Sequence, residues 1–277
     1  MDDEPQLPQK VSKAKKPKLY KLEPEPGGEF PELSGLFNET LEEFQDNITP
    51  YVFAGLAQFA VMLPVVFLGI FGLYFGIALG MGGTMVIGGI LGGMIMEYVS
   101  EGLGLVVMLA TQFVAILVPF LLIFLFIGFL AAVLAPFNAS LVRAVAAHQR
   151  GQKELDFPEV FSTISQDLPK VIGAALILSG LTIVGLFMCY LPALAVPIVF
   201  GFASSLVAMH RLGPTDGVKS AFTHFSQHMN WHLTFGVVYV GMSMVAGYVP
   251  VLGPAFLLAL HTRAYRKVFG DGEAPVL

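Results

Sequence analysis

Four charge-free runs decide what this chain can fold into. They cover residues 47–96, 102–142, 171–210 and 220–262. Each is far longer than the roughly 20 residues a helix needs to cross a bilayer. An unpaired charge in hydrocarbon is expensive, so runs of this length without one belong to membrane helices. Charged residues make up only 13% of the chain and hydrophobic ones 55%, against a soluble norm of roughly 25% charged. The expected fold is all-α, a polytopic helical membrane protein with about six transmembrane helices.

All fifteen Lys and Arg fall in four blocks, at 10–21, 143–170, 211–219 and 263–267. If each intervening stretch crosses the membrane an even number of times, every block lies on one side. The positive-inside rule then puts both termini in the cytoplasm. Eight crossings replace six if Pro119 marks a turn. Residues 1–32 carry five prolines before Gly27 and six lysines between Lys10 and Lys21. Without apolar periodicity, they read as a disordered cytoplasmic tail, and residues 271–277 as a second one.

A repeat organises the rest. Phe157, Val160, Phe161, Ile164 and Leu168 have the spacing of one apolar helix face. Val218, Ala221, Phe222, Phe225 and Met229 repeat it sixty-one residues later, with Ser165-Gln166 falling on Ser226-Gln227. Each copy runs into a charge-free stretch whose midpoint carries a Tyr-x-Pro-x-Leu turn, at Tyr190 and Tyr248. The implied unit is an interfacial helix followed by a membrane hairpin, covering 151–212 and then 213–270. Phe37, Thr40, Leu41, Phe44 and Ile48 form a degenerate third copy that opens a first membrane unit over 33–150.

That first unit holds a glycine-rich insertion. Gly72, Gly76, Gly80, Gly88 and Gly92 stand on one i+4 ladder with Thr84 in the gap. Small residues on one stripe let helix backbones approach closely. The ladder reads as packing between neighbouring spans, with a dimerisation face or a pore lining as the functional alternatives. The doublets Gly82-Gly83, Gly88-Gly89 and Gly92-Gly93 also weaken a helix. They leave open whether 79–102 spans the membrane, re-enters it or lies at its surface. The stretch 103–136 is expected as one kinked helix, since no turn residue accompanies Pro119.

Pro136-Phe137 ahead of a basic loop, Asp216-Gly217, Ala221-Phe222, Trp231 and the terminal Ala264-Tyr265-Arg266-Lys267-Val268-Phe269-Gly270 carry a family likeness. Over 136–270 the chain resembles a broad group of uncharacterised bacterial multi-span proteins. These are similar to the membrane domain attached to some glycerophosphodiester phosphodiesterases. The resemblance implies a six-span, non-catalytic module of a bacterial inner membrane and supplies no functional residues.

Chemistry is sparse. The single Cys189 sits in an apolar run, excluding a disulfide framework. No charge lies deep in any span, which counts against an ion-coupled transporter. No cofactor, catalytic constellation or nucleic-acid partner is expected; membrane lipid, a second copy or another membrane protein is. His224, His228 and His232 stand at i, i+4 and i+8, and helical i+4 histidines can share a metal. Without a carboxylate or Cys beside them they read as metal-free and surface-facing. The leading expectation is a non-catalytic structural or assembly module. The alternative is a transporter or channel for a lipid or other uncharged solute. A membrane enzyme built on the histidines ranks third.

Overall fold

The computed structural model describes residues 30–188 and 191–270 and is helical throughout, with no strand among the described residues. Readings that concern residues 1–29, Cys189, Tyr190 and 271–277 lie outside these. Four segments are long and apolar enough to cross a membrane: Ile48–Tyr98, Glu101–Gln149, Leu168–Phe187 and Pro192–His210.

The chain opens with α1 (Leu33–Asp46), which lies along the last helix, α10 (Leu252–Phe269). Acidic α1 meets basic α10. Oε1 of Glu39 is 2.7 Å from Nζ of Lys267, and Glu43 pairs with Arg263. The buried side of α1 is Leu36, Thr40 and Phe44, whereas Phe37, Leu41 and Ile48 are exposed. Of the stripe expected from periodicity, Thr40 and Phe44 turn inward. Both sides of this helix are apolar, and contact with α10 selects between them.

Next come α2 (Ile48–Tyr98) and α3 (Glu101–Gln149), two antiparallel helices of 51 and 49 residues. The glycine doublets do not interrupt α2, and no turn forms at Pro119. At 1.5 Å per residue the hairpin is about 75 Å long, more than twice the roughly 30 Å of a bilayer core. Close packing accounts for its continuity. A Cβ on Gly80 would stand 2.6 Å from Cγ1 of Val118, and one on Gly92 would stand 2.3 Å from Cγ of Met108. Contacts at that range offset the cost of glycine in a helix. Gly76 and Gly88 also face α3, against Leu122 and Thr111, while Gly72 has no neighbour within 4 Å. The outer half of the hairpin is apolar all round and largely exposed.

The second half comprises α4 (Phe157–Ser162), α5 (Leu168–Phe187), α6 (Leu191–Val199), α7 (Ala203–His210), α8 (Pro214–Gln227), α9 (Met229–Ala246) and α10. Asp156 caps α4 as its sequence suggests, its carboxylate accepting from the Glu159 amide at 2.8 Å. The amphipathic helix expected over 157–168 nevertheless ends at Ser162. Asp167 then takes a left-handed conformation, φ 54°. Its carboxylate reaches Lys170 at 2.9 Å, Arg211 at 3.6 Å and Arg143 at 3.9 Å. Three cations drawn to one carboxylate, from α3, α5 and the residue that follows α7, offset the lost helical turns. The equivalent α8 stays helical, with Gly217, Ala221 and His224 buried and Phe222 exposed; Met229, also exposed, opens α9.

Charge thus gathers at one end of the bundle. Arg143 near the end of α3 also donates from Nε to the Ala208 carbonyl at 2.9 Å, tying down the last turn of α7. Nearly two turns on, Gln149 donates to the Ala259 carbonyl of α10 at 3.1 Å.

Candidate functional site

A break between α6 and α7 shapes the interior. Pro197 lacks the N–H an unbroken helix would use. At Gly201 a Cβ would stand 2.4 Å from the Pro197 carbonyl oxygen, so only glycine fits the bend. Helix resumes at Ala203, burying Ser205 and leaving Ser204 exposed. Phe202 at the bend is 4% exposed and stacks on His261 at 4.9 Å and Phe235 at 5.5 Å between ring centroids.

Behind this bend lies a half-open cavity of about 920 Å³ lined by α2, α3, α5, α6, α7, α9 and α10. Its size is at the upper end of the roughly 300–1,000 Å³ usual for small-molecule pockets. The walls are mostly apolar: Met62, Leu63 and Val66 from α2, Ile127, Leu130 and Leu134 from α3, Leu178 from α5, and Leu257 and Leu258 from α10. No Asp, Glu, Lys or Arg lines it.

Neutral polar groups interrupt the apolar wall. Oγ of Ser205 is 3.0 Å from Nε2 of His261, a pair joining α7 to α10. Thr182 and Ser243 turn back onto their own helices, donating to the carbonyls of Leu178 and Tyr239. Gln58, Asn138, Ser179, Ser204 and Tyr239 also line the space, and their side chains make no hydrogen bond among the described residues. The Oε1 of Gln58 is buried with nothing to accept from. Such an atom costs roughly 1–3 kcal/mol unless a donor reaches it.

The three histidines singled out by spacing occupy a separate place. His224 and His232 are buried, 5% and 2% exposed, and their Nδ1 and Nε2 atoms approach to 2.7 Å. This corrects the surface-facing expectation. The turn at His228 between α8 and α9 folds the i+8 pair together, where one straight helix would hold them about 12 Å apart. The His228 ring lies 4.9 Å from that of His224 and 4.2 Å from Phe30. The described residues hold no group of three His, Cys, Asp or Glu side chains placed to share a metal ion. Trp231 is half-buried and donates from Nε1 to the Pro31 carbonyl at 3.0 Å, so it anchors the start of α1. Burial pushes the His224 imidazole down to about 3, with charge on His232 and then His228 adding to the effect.

Comparison with known protein families, with characterised proteins and with solved structures finds no match. The cavity residues therefore carry the functional reading.

Sequence reasoning missed Ser205, Gln58 and Asn138. The search for function in the spans looked for charges. The available signal was weaker: Gln58 and Asn138 are isolated amides in the charge-free runs 47–96 and 102–142. An amide in such a run pays a desolvation cost that packing alone does not ask for.

Proposed function

We propose that this protein is an integral membrane protein that takes up a lipid or other uncharged amphipathic molecule between its helices, as a binding protein or transporter. The observation that carries this is the 920 Å³ cavity, apolar over most of its wall and free of ionic side chains. A purely structural or assembly module has no use for a space of that size, because bundle stability in lipid comes from close packing. The charge-free wall argues against ion coupling in the same way as the charge-free spans do.

In this reading the protein sits in a bacterial inner membrane with both termini and the charged end of the bundle in the cytoplasm. About six crossings are formed by α2, α3, α5, α6 with α7, α9 and α10. The last two hairpins, each with its short leading helix, are the repeated units, and the glycine ladder from Gly76 to Gly92 is the packing face between α2 and α3.

The test is lipid analysis of the purified full-length protein beside Ala175→Trp, which fills the cavity from α5. Wild type is expected to retain lipid at near one molecule per chain, and Ala175→Trp to lose it at unchanged melting temperature. A wild-type protein that retains no lipid, whether purified in mild detergent or in nanodiscs, returns the reading to a structural module.

A further inference from the structure

We infer that the charged end of the bundle holds the phosphate of an anionic phospholipid, between Lys170 near the start of α5 and Arg211 just past α7. This place is separate from the cavity, which neither residue lines.

Charge is out of balance there. Among the described residues, Asp167 is the only carboxylate paired with Arg143, Lys170 and Arg211. Three cations on one carboxylate leave two positive charges in excess. Lys153, by contrast, has Glu159 to itself at 3.1 Å. Arg143 does not reach a ligand: its side chain is only 10% exposed, and Nε and Nη1 donate to the Ala208 and Thr163 carbonyls. Its charge acts from behind the other two, where water and salt screen it little.

The two outer cations are within reach. The side chains of Lys170 and Arg211 are 39% and 44% exposed. Lys170 uses two of its three N–H groups, on Asp167 at 2.9 Å and on the Arg211 carbonyl at 3.0 Å. Arg211 approaches Asp167 through Nε, at 3.6 Å, and its Nη groups have no partner among the described residues. A guanidinium edge with free N–H groups matches two oxygens of a phosphate. The backbone fixes this arrangement, since Asp167 and Arg211 both hold positive φ, 54° and 55°, although neither is glycine. The Lys170 side chain ties those two residues together.

The depth suits a lipid rather than a soluble anion. Lys170 stands near the start of Leu168–Phe187 and Arg211 directly after Pro192–His210, two segments able to cross a membrane. Headgroups lie at that boundary, and basic clusters between helices on the cytoplasmic side bind anionic ones. A zwitterionic head brings a cation of its own, which the excess positive charge repels.

The experiment is native mass spectrometry of the full-length protein, equilibrated in detergent with equimolar dioleoylphosphatidylglycerol and dioleoylphosphatidylcholine. Wild type is expected to keep phosphatidylglycerol in preference. Arg211→Gln should lower that preference about fivefold, a basic residue near a charged lipid surface being worth about 1 kcal/mol. Lys153→Gln removes the same charge from the same end of the bundle and should leave the preference unchanged. Asp167→Asn should raise it, because the competing carboxylate is gone and asparagine tolerates the left-handed conformation. Inorganic phosphate in large excess should not displace the lipid; displacement would assign the place to free phosphate and overturn the lipid assignment. No preference in wild type, equal losses in Arg211→Gln and Lys153→Gln, or a weaker preference in Asp167→Asn also overturns the inference. Should Asp167→Asn fail to fold, the comparison of exposed Arg211 with Lys153 decides alone.

Discussion

Nδ1 of His224 lies 2.7 Å from Nε2 of His232, joining α8 to α9 across the turn at His228. A hydrogen bond between two imidazoles needs one lone pair, so at most one of the rings can be charged while it lasts. Phe30 packs on His228 and Trp231 beside this pair, so the start of α1 rests on the same cluster.

Acid should therefore loosen this corner. His224 is neutral in the fold, its value lowered from 6.5 to about 3. Its contribution is complete above the unfolded value and is lost as pH falls from 6.5 toward 3. The unfolded chain binds the proton first over that window, at up to about 1.4 kcal/mol per pH unit. Melting of the detergent-solubilised protein is expected to fall steadily from pH 6.5 to pH 4. The slope should be shallower in His224→Gln. Equal slopes for the two proteins would place the acid-sensitive group elsewhere.

Substitution along the glycine ladder should follow contact with α3 rather than position in sequence. A Cβ at Gly88 would fall 2.0 Å from Oγ1 of Thr111, while one at Gly72 meets open space. Gly88→Leu and Gly92→Leu are expected to destabilise by about 1–3 kcal/mol each, the usual cost of overpacking. Gly76→Leu is expected to be milder, its Cβ reaching Leu122 at 3.4 Å. Gly72→Leu should be neutral. Thermal stability and oligomeric state in detergent read this out, and a Gly72→Leu protein as damaged as Gly88→Leu would show a second packing face.

The contact between α1 and α10 should depend on Glu43. Its carboxylate pairs with Arg263 and accepts from the Tyr51 hydroxyl at 2.5 Å, both largely shielded from solvent. Glu43→Gln leaves Arg263 with only the longer 3.4 Å contact to Glu39. A loss of about 1–3 kcal/mol is expected. Faster proteolysis within 33–46 should accompany it, and protection equal to wild type would show that Glu39 alone holds α1 down.

The hairpin tip tests the crossing number. Glu97 and Tyr98 close α2 and Glu101 opens α3, at the end remote from the charged base. With about six crossings the tip lies on the side opposite the basic blocks, the helices tilting to fit their excess length into the bilayer. Tyr98→Cys, introduced with Cys189→Ser, is expected to react with a membrane-impermeant maleimide from the periplasmic side. Labelling from the cytoplasmic side alone would mean that the hairpin folds back and that eight crossings are made.

Element identities were readable in the sequence, but the facing of their side chains was not. Periodicity over 33–48 and 218–229 found apolar stripes, but a helix at a protein–lipid boundary carries two. On α8, Phe222 looks out while Gly217, Ala221 and His224 look in. Hydrophobicity alone does not separate a side chain dissolved in lipid from one packed on protein, because the two environments are equally dry. The histidines were placed by extending one straight helix through 224–232, whereas the chain turns at His228. The glycine doublets had the local propensity to break α2, and α3 was close enough to override it.

The sequence by itself determined that the chain is helical and suited to a membrane, and where its charges can stand. Those follow from the free energy of placing a charge or a bare peptide group in hydrocarbon, which composition and order along one segment already specify. Tertiary structure decided the cavity and its chemistry. Ser205 meets His261 across 56 positions and Gln149 meets Ala259 across 110. The bend from Pro197 to Gly201 also lines a space that Gln58, far back in the chain, shares. Each of these depends on which helices pack together, and in lipid that choice rests on shape rather than hydrophobicity.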